Sequence, residues 1–313
     1  MLRRIVTLLA AGALTVSLAA CDFTANGTLE CHTQTDGKYV CTGSSTAIPV
    51  TPSVPTPPPT TQPPVGTPDP TTPPPVTTPP PSDPPVAEAA AKFGWGAPLP
   101  AESDEFNYSG APGEMWWNAD NCWPGHDGNG RRCGKNTVVD GSKLVMTGDA
   151  NGDTGIIGQK DGRRYGRWEA RVRTAGETTG NTYHPLLIVW PDSDRWPQDG
   201  EYDFFENDAP GLNSVTSFIH YPHDPGAVQQ IQRVKDGVDT TQWHNIAIEW
   251  TPDHVKGFID GVEWFSHSGG ANATRKNIQD MPSGHLTIQL DNFHGTSMKS
   301  AKYEVDWVRT YAL

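Results

Sequence analysis

Residues 196–207 read WPQDGEYDFFEN and place three carboxylates within six residues of a segment rich in aromatic side chains. The three acids are Glu201, Asp203 and Glu206. Carboxylates rarely lie unpaired among buried aromatic residues, because their removal from water is unfavourable. The segment therefore predicts either an exposed edge strand or a strand whose acids line a polar cleft.

The spacing of the three acids favours the cleft. Glu201 and Asp203 are two residues apart and share one face of a regular strand, whereas Glu206 points to the opposite face. A β-bulge at Phe204-Phe205 returns Glu206 to the face of the other two acids. With that bulge, we expect the two glutamate carboxyl groups to lie roughly 5 to 6 Å apart, close to the separation in retaining glycosidases.

The flanking sequence has the short alternating pattern of β-strands. Residues 166–173 and 244–250 alternate polar with apolar or aromatic side chains. Residues 255–265 predict a hairpin, because Asp260-Gly261 supplies the positive φ angles of a type I′ turn. No convincing amphipathic helix appears in the sequence. We therefore predict one all-β domain over residues 89–313.

Taken together, these segments resemble glycoside hydrolase family 16, in the form whose active-site strand contains a β-bulge. The resemblance rests on Glu201-x-Asp203-x-x-Glu206 and covers nearly the whole domain. Its other elements are DEFN at 104–107, YGRWEAR at 165–171, LIVWP at 187–191, WHNIAIEWTP at 243–252, FIDG at 258–261 and DWVR at 306–309. The resemblance implies a β-jelly-roll sandwich with a concave cleft for a polysaccharide.

The resemblance also implies a role for each acid. Glu201 matches the nucleophile, Glu206 the general acid/base and Asp203 the helper between them. The implied reaction is retaining endo-hydrolysis of a β-linked glucan, most plausibly of β-1,3 or β-1,3(4) linkages. The alternatives are a galactan hydrolase of the agarase or carrageenase type, a transglycosylase, and a non-catalytic glucan-binding module. The presence of all three acids disfavours the binding module.

Several other side chains are candidates for substrate or metal binding. Aromatic rings can stack on the apolar face of a sugar, and the family often has a cleft histidine at the position of His220. The candidates for the cleft are Trp190, Trp196, His220, Trp116 and Trp117. We expect Trp168, Trp250, Trp264 and Trp307 to be core or structural residues. No cofactor is required, but relatives suggest a structural calcium with Asp306 as a ligand.

The N-terminus has the features of an export signal. Residues 1–20 carry two arginines followed by a short apolar run, and small residues precede Cys21. This arrangement resembles the lipobox of bacterial lipoproteins, which predicts a lipid on Cys21. We therefore expect the protein at the extracellular side of a bacterial membrane, held there by its lipid.

The remaining cysteines form two close pairs separated by a proline-rich stretch. Export to an oxidising compartment favours local disulfides, with Cys31 bonded to Cys41 and Cys122 bonded to Cys133. Of the 30 prolines, 18 lie within residues 48–85. Such sequence is disordered or extended, because it cannot form a packed core. The prediction is an anchored, cystine-containing segment at 21–47 followed by a linker at 48–88.

The charge of the chain restricts its partners. The formal net charge is -13, and no run of lysines and arginines is present to neutralise a phosphate backbone. The negative charge and the lack of a basic run exclude nucleic acid as an expected partner and disfavour sulfated polysaccharides. A neutral polysaccharide fits the charge, and we expect a monomer.

Overall fold

A computed structural model describes residues 87–119, 121–224, 230–269 and 277–313, together with the backbone of two strands nearer the N-terminus. The chain divides into two compact units, Met1–Val76 and Thr77–Leu313. The predicted leader, the lipidation site at Cys21 and nearly all of the predicted linker lie outside the described residues. Within the described residues, no helix combines the length and apolar character needed to cross a bilayer.

The first unit contains a β-hairpin. Strand β1 (Leu29–Thr33) pairs antiparallel with β2 (Tyr39–Gly43), and the register places Cys31 opposite Cys41. The side chains of these strands lie outside the described part of the chain. The Cys31–Cys41 disulfide therefore stays a prediction.

The second unit contains the remaining strands. In chain order they are β3 (Ser109–Gly110), β4 (Trp116–Asn118), β5 (Trp123–Pro124), β6 (Arg131–Arg132), β7 (Thr137–Asp140), β8 (Leu144–Gly148), β9 (Asp153–Thr154), β10 (Ile156–Gln159), β11 (Gly166–Gly176), β12 (Tyr183–Pro191), β13 (Glu201–Glu206), β14 (Ser214–His220), β15 (Gln230–Asp236), β16 (His244–Trp250), β17 (Val255–Ile259), β18 (Val262–His267), β19 (Gly284–Asn292) and β20 (Ala301–Tyr311). One short α-helix, α1, spans Ala89–Phe93, and 3₁₀ turns lie at Pro100–Glu102, His126–Gly128 and Gly134–Asn136.

Two large antiparallel sheets make up this unit. The cleft sheet has the strand order β15-β14-β13-β12-β19-β10-β4, and the outer sheet has the order β18-β17-β16-β11-β20-β8-β7-β3. A small third sheet is formed by β5, β6 and β9. This architecture confirms the predicted all-β sandwich.

The core lies between the two large sheets. Tyr202 of the cleft sheet packs edge-on against Trp250 of the outer sheet, with ring centroids 5.5 Å apart. Phe205 stacks on Tyr303 at 6.0 Å. Of the tryptophans expected to be core or structural, Trp168, Trp250 and Trp307 are buried and Trp264 packs against the core while partly exposed. Aromatic side chains of both sheets therefore meet in one shared core.

The strand predictions agree with the structure. Strand β16 covers residues 244–250 as predicted, and β11 contains the predicted 166–173 segment and continues to Gly176. The hairpin of β17 and β18 turns at Asp260 and Gly261, whose φ angles are 52° and 67°. Two consecutive positive φ values are those of a type I′ turn.

Helix α1 is attached to the outer sheet through a buried carboxylate. Glu169 of β11 accepts hydrogen bonds from the backbone N–H groups of Ala89 (2.6 Å) and Ala90 (3.1 Å). Burial nevertheless raises the pKa of Glu169 from 4.5 to about 7. Because Ala89 and Ala90 are buried, the packed part of this unit includes the helix.

Candidate active site

The three acids lie on β13, near the centre of the cleft sheet. On the neighbouring strand β12, Ile188 pairs with Asp203 and Leu187 pairs with Phe205, which leaves Phe204 without a partner. On the other side, the β14 pairing also shifts between Asp203 and Glu206. This is the bulge that the spacing predicts at Phe204-Phe205, and all three acids line one cleft.

The core explains why the bulge forms here. Phe204 and Phe205 are consecutive, yet both are at most 1% exposed and both belong to the core. A regular strand would send one of them to the opposite face. The extra residue lets both rings pack inside while Glu206 returns to the cleft, so burial of two phenylalanines stabilises the arrangement of the acids.

Glu201 and Asp203 share a hydrogen bond. Burial raises the pKa of Glu201 from 4.5 to about 7, while hydrogen bonds from Asp203 and Trp196 act in the opposite direction. Burial also raises the pKa of Asp203 well above its usual range, and the charges of Glu201 and Glu206 raise it further. Asp203 is therefore the better holder of a shared proton, which it donates to the Glu201 carboxylate.

Two histidines flank the acids. His220 of β14 lies opposite Glu201, and its Nε2 is 3.5 Å from Asp203 Oδ2. Burial lowers the pKa of His220 to about 4, so it remains neutral at neutral pH. His184 Nδ1 lies 3.4 Å from Glu206 Oε1. Sequence reasoning selected His220 and missed His184.

The acids open into a cleft of about 1030 Å³ that extends across the cleft sheet. Trp190, Trp196, Trp117 and His220, all expected in the cleft, line it. Trp196 is 48% exposed, and its ring lies 5.9 Å from that of His220. This places an accessible aromatic face beside β13.

Trp116 corrects one prediction. We expected it in the cleft, but it is 3% exposed, stacks with Phe106 in the core and donates its indole N–H to Asp104 Oδ2 at 2.9 Å. Adjacent residues of a strand face opposite sides. Since Trp117 faces the cleft, Trp116 faces the core.

A polar row on β19 was not predicted from the sequence. His285, Thr287, Gln289 and Asp291 line the cleft, while the leucines and isoleucine between them are buried in the core. The alternation in HLTIQLD at 285–291 is the signal that could have identified this row. Asp291 is paired with Arg132, with Arg132 Nη2 2.7 Å from Asp291 Oδ2.

A loop at one edge of the cleft is closed by a disulfide. Cys122 is bonded to Cys133, as predicted. The adjoining residues Trp123 and Arg132 are paired across β5 and β6, and both line the cleft. The disulfide therefore joins the two strands next to the residues that form this edge.

The surroundings of Asp306 do not favour a cation. Arg171 Nη1 donates to Asp306 Oδ2 at 2.7 Å, so a guanidinium already neutralises the carboxylate. Groups of three metal-ligating side chains occur elsewhere among the described residues, but none includes Asp306. A calcium ion at this position stays a prediction.

Comparison with known proteins matches this site to a family. Residues 129–309, more than half of the chain and including all three acids, match the family described as glycosyl hydrolases family 16. The chain belongs to glycosyl hydrolase family 16. Its two-sheet sandwich is the β-jelly-roll of that family, as predicted.

Three individual proteins, all named as glucanases or laminarinases, are similar to this chain. A β-glucanase of Rhodothermus marinus is 28% identical over 181 residues, which are 50% of this chain and 61% of that protein. The solved laminarinase of Rhodothermus marinus is 25% identical, with a TM-score of 0.53 over 67% of this chain and 95% of the other. A non-specific endo-β-1,3(4)-glucanase, solved with an oligosaccharide in its active site, has the same fold at 22% identity and a TM-score of 0.55 over 67% of this chain and 93% of the other.

Proposed function

We propose that this member of family 16 is a retaining endo-glycosidase. Its proposed substrate is a β-glucan with β-1,3 or mixed β-1,3(4) linkages. One observation carries the proposal: the bulge in β13 brings Glu201, Asp203 and Glu206 to the same cleft. The relatives are named β-glucanase and laminarinase. This chain spans 61% of the length of that β-glucanase, so the activity is inferred from the site as well as from the likeness.

The first step breaks the glycosidic bond. Glu206 gives a proton to the leaving oxygen while the Glu201 carboxylate attacks the anomeric carbon, forming a covalent glycosyl-enzyme. Glu201 must be ionised to attack. Hydrogen bonds from Asp203 and Trp196 stabilise its charge in surroundings that otherwise favour the neutral acid.

The second step releases the sugar. Glu206, now ionised, removes a proton from water, and the resulting hydroxide attacks the anomeric carbon of the glycosyl-enzyme. Glu201 leaves as a carboxylate, which Asp203 again stabilises. Two displacements at one carbon return the β configuration, so the product has the configuration of the substrate.

The shape of the cleft supports internal cleavage. Its lining comes from most strands of the cleft sheet, with residues on both sides of β13. A polymer can therefore extend away from the acids in both directions. The tryptophans along the cleft offer stacking surfaces for neutral sugar rings.

A substrate panel tests this proposal. Release of reducing ends is measured for the full chain on laminarin, lichenan, agarose and xyloglucan, with Glu201→Gln as the inactive control. We expect hydrolysis of laminarin or lichenan only. Cleavage of agarose alone would support the galactan hydrolase, and binding without cleavage of any polymer would support the non-catalytic module.

We also propose that the protein is exported and anchored through a lipid on Cys21, on the basis of the N-terminal sequence. A Cys21→Ser variant is expected in the soluble fraction of cells, with the same activity as the wild type. Equal incorporation of radiolabelled lipid into the wild type and the variant would contradict the anchor.

A further inference from the structure

His184 lies beside Glu206 on the neighbouring strand of the cleft sheet. Leu186 of β12 is the residue paired with Glu206, and side chains two residues apart on a strand face the same side. Since Leu186 lines the cleft, His184 is directed to the cleft face as well. A diagonal neighbour across two strands is within reach of a long side chain, and His184 Nδ1 lies 3.4 Å from Glu206 Oε1.

The imidazole of His184 packs against an aromatic ring. Its centroid lies 4.2 Å from that of Phe293, and the two planes are tilted by 39°. Phe293 also contacts the ring of His126 at 4.5 Å, and its carbonyl oxygen accepts a hydrogen bond from Asn129 Nδ2 at 3.2 Å. The loop at 126–129 therefore supports Phe293, and Phe293 gives the imidazole a fixed surface to pack on.

The contact between His184 and Glu206 is shielded from water. Their side chains are 12% and 10% exposed, so solvent competes little for a hydrogen bond between them. The other ionisable groups that face the pair are Asp208, within 4.8 Å of both, Asp291, paired with His184 from β19, and His294, whose ring lies 6.3 Å away. A carboxylate next to Nδ1 favours the tautomer that carries its hydrogen on that nitrogen.

We propose that His184 is a positioning residue for the acid/base: its Nδ1–H donates to Oε1 of Glu206 and keeps the transferred proton on Oε2. This inference rests on the proposed function. A carboxylic acid can carry its proton on either oxygen, and a donor at one oxygen leaves the other to be protonated. Hydrogen bonds in active sites are often long without substrate and tighten in the complex, which fits the distance of 3.4 Å.

This hydrogen bond would serve both steps of the reaction. In the first step it leaves the proton of Glu206 on the oxygen that can donate to the leaving group. In the second step the same N–H stabilises the Glu206 carboxylate that takes a proton from water. A glycoside with a poor leaving group needs that proton, whereas one with a good leaving group needs little of it. Loss of the donor should therefore slow mainly the poor leaving group.

The test measures kcat/KM of the full chain on phenyl and 2,4-dinitrophenyl β-laminaribioside, which differ only in the leaving group. In His184→Phe a ring still packs on Phe293 but cannot donate, so we expect about a tenfold loss on the phenyl glycoside and less than about twofold on the dinitrophenyl glycoside. In His184→Asn the amide nitrogen is as many bonds from the backbone as Nδ1 and can donate, so we expect both values within about threefold of the wild type. A merely structural role predicts the reverse order, with phenylalanine the better replacement.

His294→Phe is the matched control, because His294 is an exposed histidine of the same neighbourhood. Its values are expected to equal those of the wild type, and thermal melting shows which variants are folded. A folded His184→Phe with no loss, or with equal losses on both substrates, overturns the positioning role alone. So does a folded His184→Asn that loses about tenfold or more on the phenyl glycoside, whether or not His184→Phe folds. A wild type that cleaves neither substrate overturns the proposed function and this inference together.

Discussion

At the residue scale, Asp203 is the hydrogen-bond partner of Glu201. It is buried, its pKa is raised, and it donates a hydrogen bond to Glu201. A neutral aspartic acid and an asparagine are similar in shape, and both can donate. We therefore expect Asp203→Asn to lower kcat/KM by about tenfold or less and Asp203→Ala by about a hundredfold or more.

The pH profile distinguishes this role from a structural one. Removal of the hydrogen bond raises the pKa of Glu201, so Asp203→Ala should shift the acidic limb of kcat/KM to higher pH. Asp203→Asn should shift it less. An unshifted limb in the alanine variant would contradict the role of Asp203 as the partner of Glu201.

The sequence predicts some of the residues' positions in the site and not others. The spacing of Glu201, Asp203 and Glu206 is sufficient to predict the bulge, because only one extra residue puts all three on one face. The sequence does not show which of Trp116 and Trp117 faces the core, since both are large and apolar. Nor does it show that Arg171, distant in sequence, is the partner of Asp306.

At the element scale, a disulfide closes the 122–133 loop. Cys133 is completely buried, and the bond closes a loop with a sequence separation of 11. By the chain-entropy relation, we expect Cys122→Ala/Cys133→Ala to lower the free energy of unfolding by about 3 kcal/mol. Urea denaturation measures this difference.

A reducing agent provides the control for the disulfide. Dithiothreitol should destabilise the wild type by a similar amount and leave the double variant unchanged. Equal stability of the wild type and the variant under oxidising conditions would show that the disulfide does not support this loop.

Elements with a clear period were predictable, and those set by tertiary contacts were not. The alternation of polar and apolar residues in β16 and the Asp-Gly turn after β17 are both visible in the local sequence. Helix α1 has only five residues, and its N-terminus is held by Glu169 of a distant strand. No local pattern could reveal that contact, since short helices are unstable without tertiary packing.

At the scale of the whole molecule, stability should fall as the pH rises from about 5 to 7. The pKa of Glu169 is raised from 4.5 to about 7 in the folded state. The folded protein then binds more protons than the unfolded protein between these values, and it loses up to about 3 kcal/mol from Glu169 as the pH rises. Glu201 changes in the same direction.

Other carboxylates set the acidic limit of stability. Ion pairs and hydrogen bonds lower the pKa of Asp140 to about 2, and those of Asp153 and Glu249 are also lowered. Their contribution is present above their unfolded pKa values and is lost as the pH falls through the folded ones. Maximum stability is therefore expected near pH 5.

Glu169→Gln is the test of this pH dependence. Unfolding free energies at pH 5 and pH 7, measured by urea denaturation, should differ less in the variant than in the wild type, because glutamine does not titrate. The proposed contribution of Glu169 would be contradicted if the unfolding free energy of the wild type rose from pH 5 to pH 7. It would also be contradicted if the variant showed the same change between these pH values as the wild type.

We propose Glu201 as the nucleophile and Glu206 as the acid/base of a retaining enzyme. The most direct measurement is the anomeric configuration, by NMR, of products formed from an activated aryl β-glycoside with added azide. In Glu206→Ala, a good leaving group needs little protonation, so Glu201 is glycosylated and azide releases a β-glycosyl azide. In Glu201→Ala, azide attacks directly and gives the α-azide. The opposite pattern would exchange the two roles, and an α-configured initial product from the wild type on a β-glucan would contradict retention.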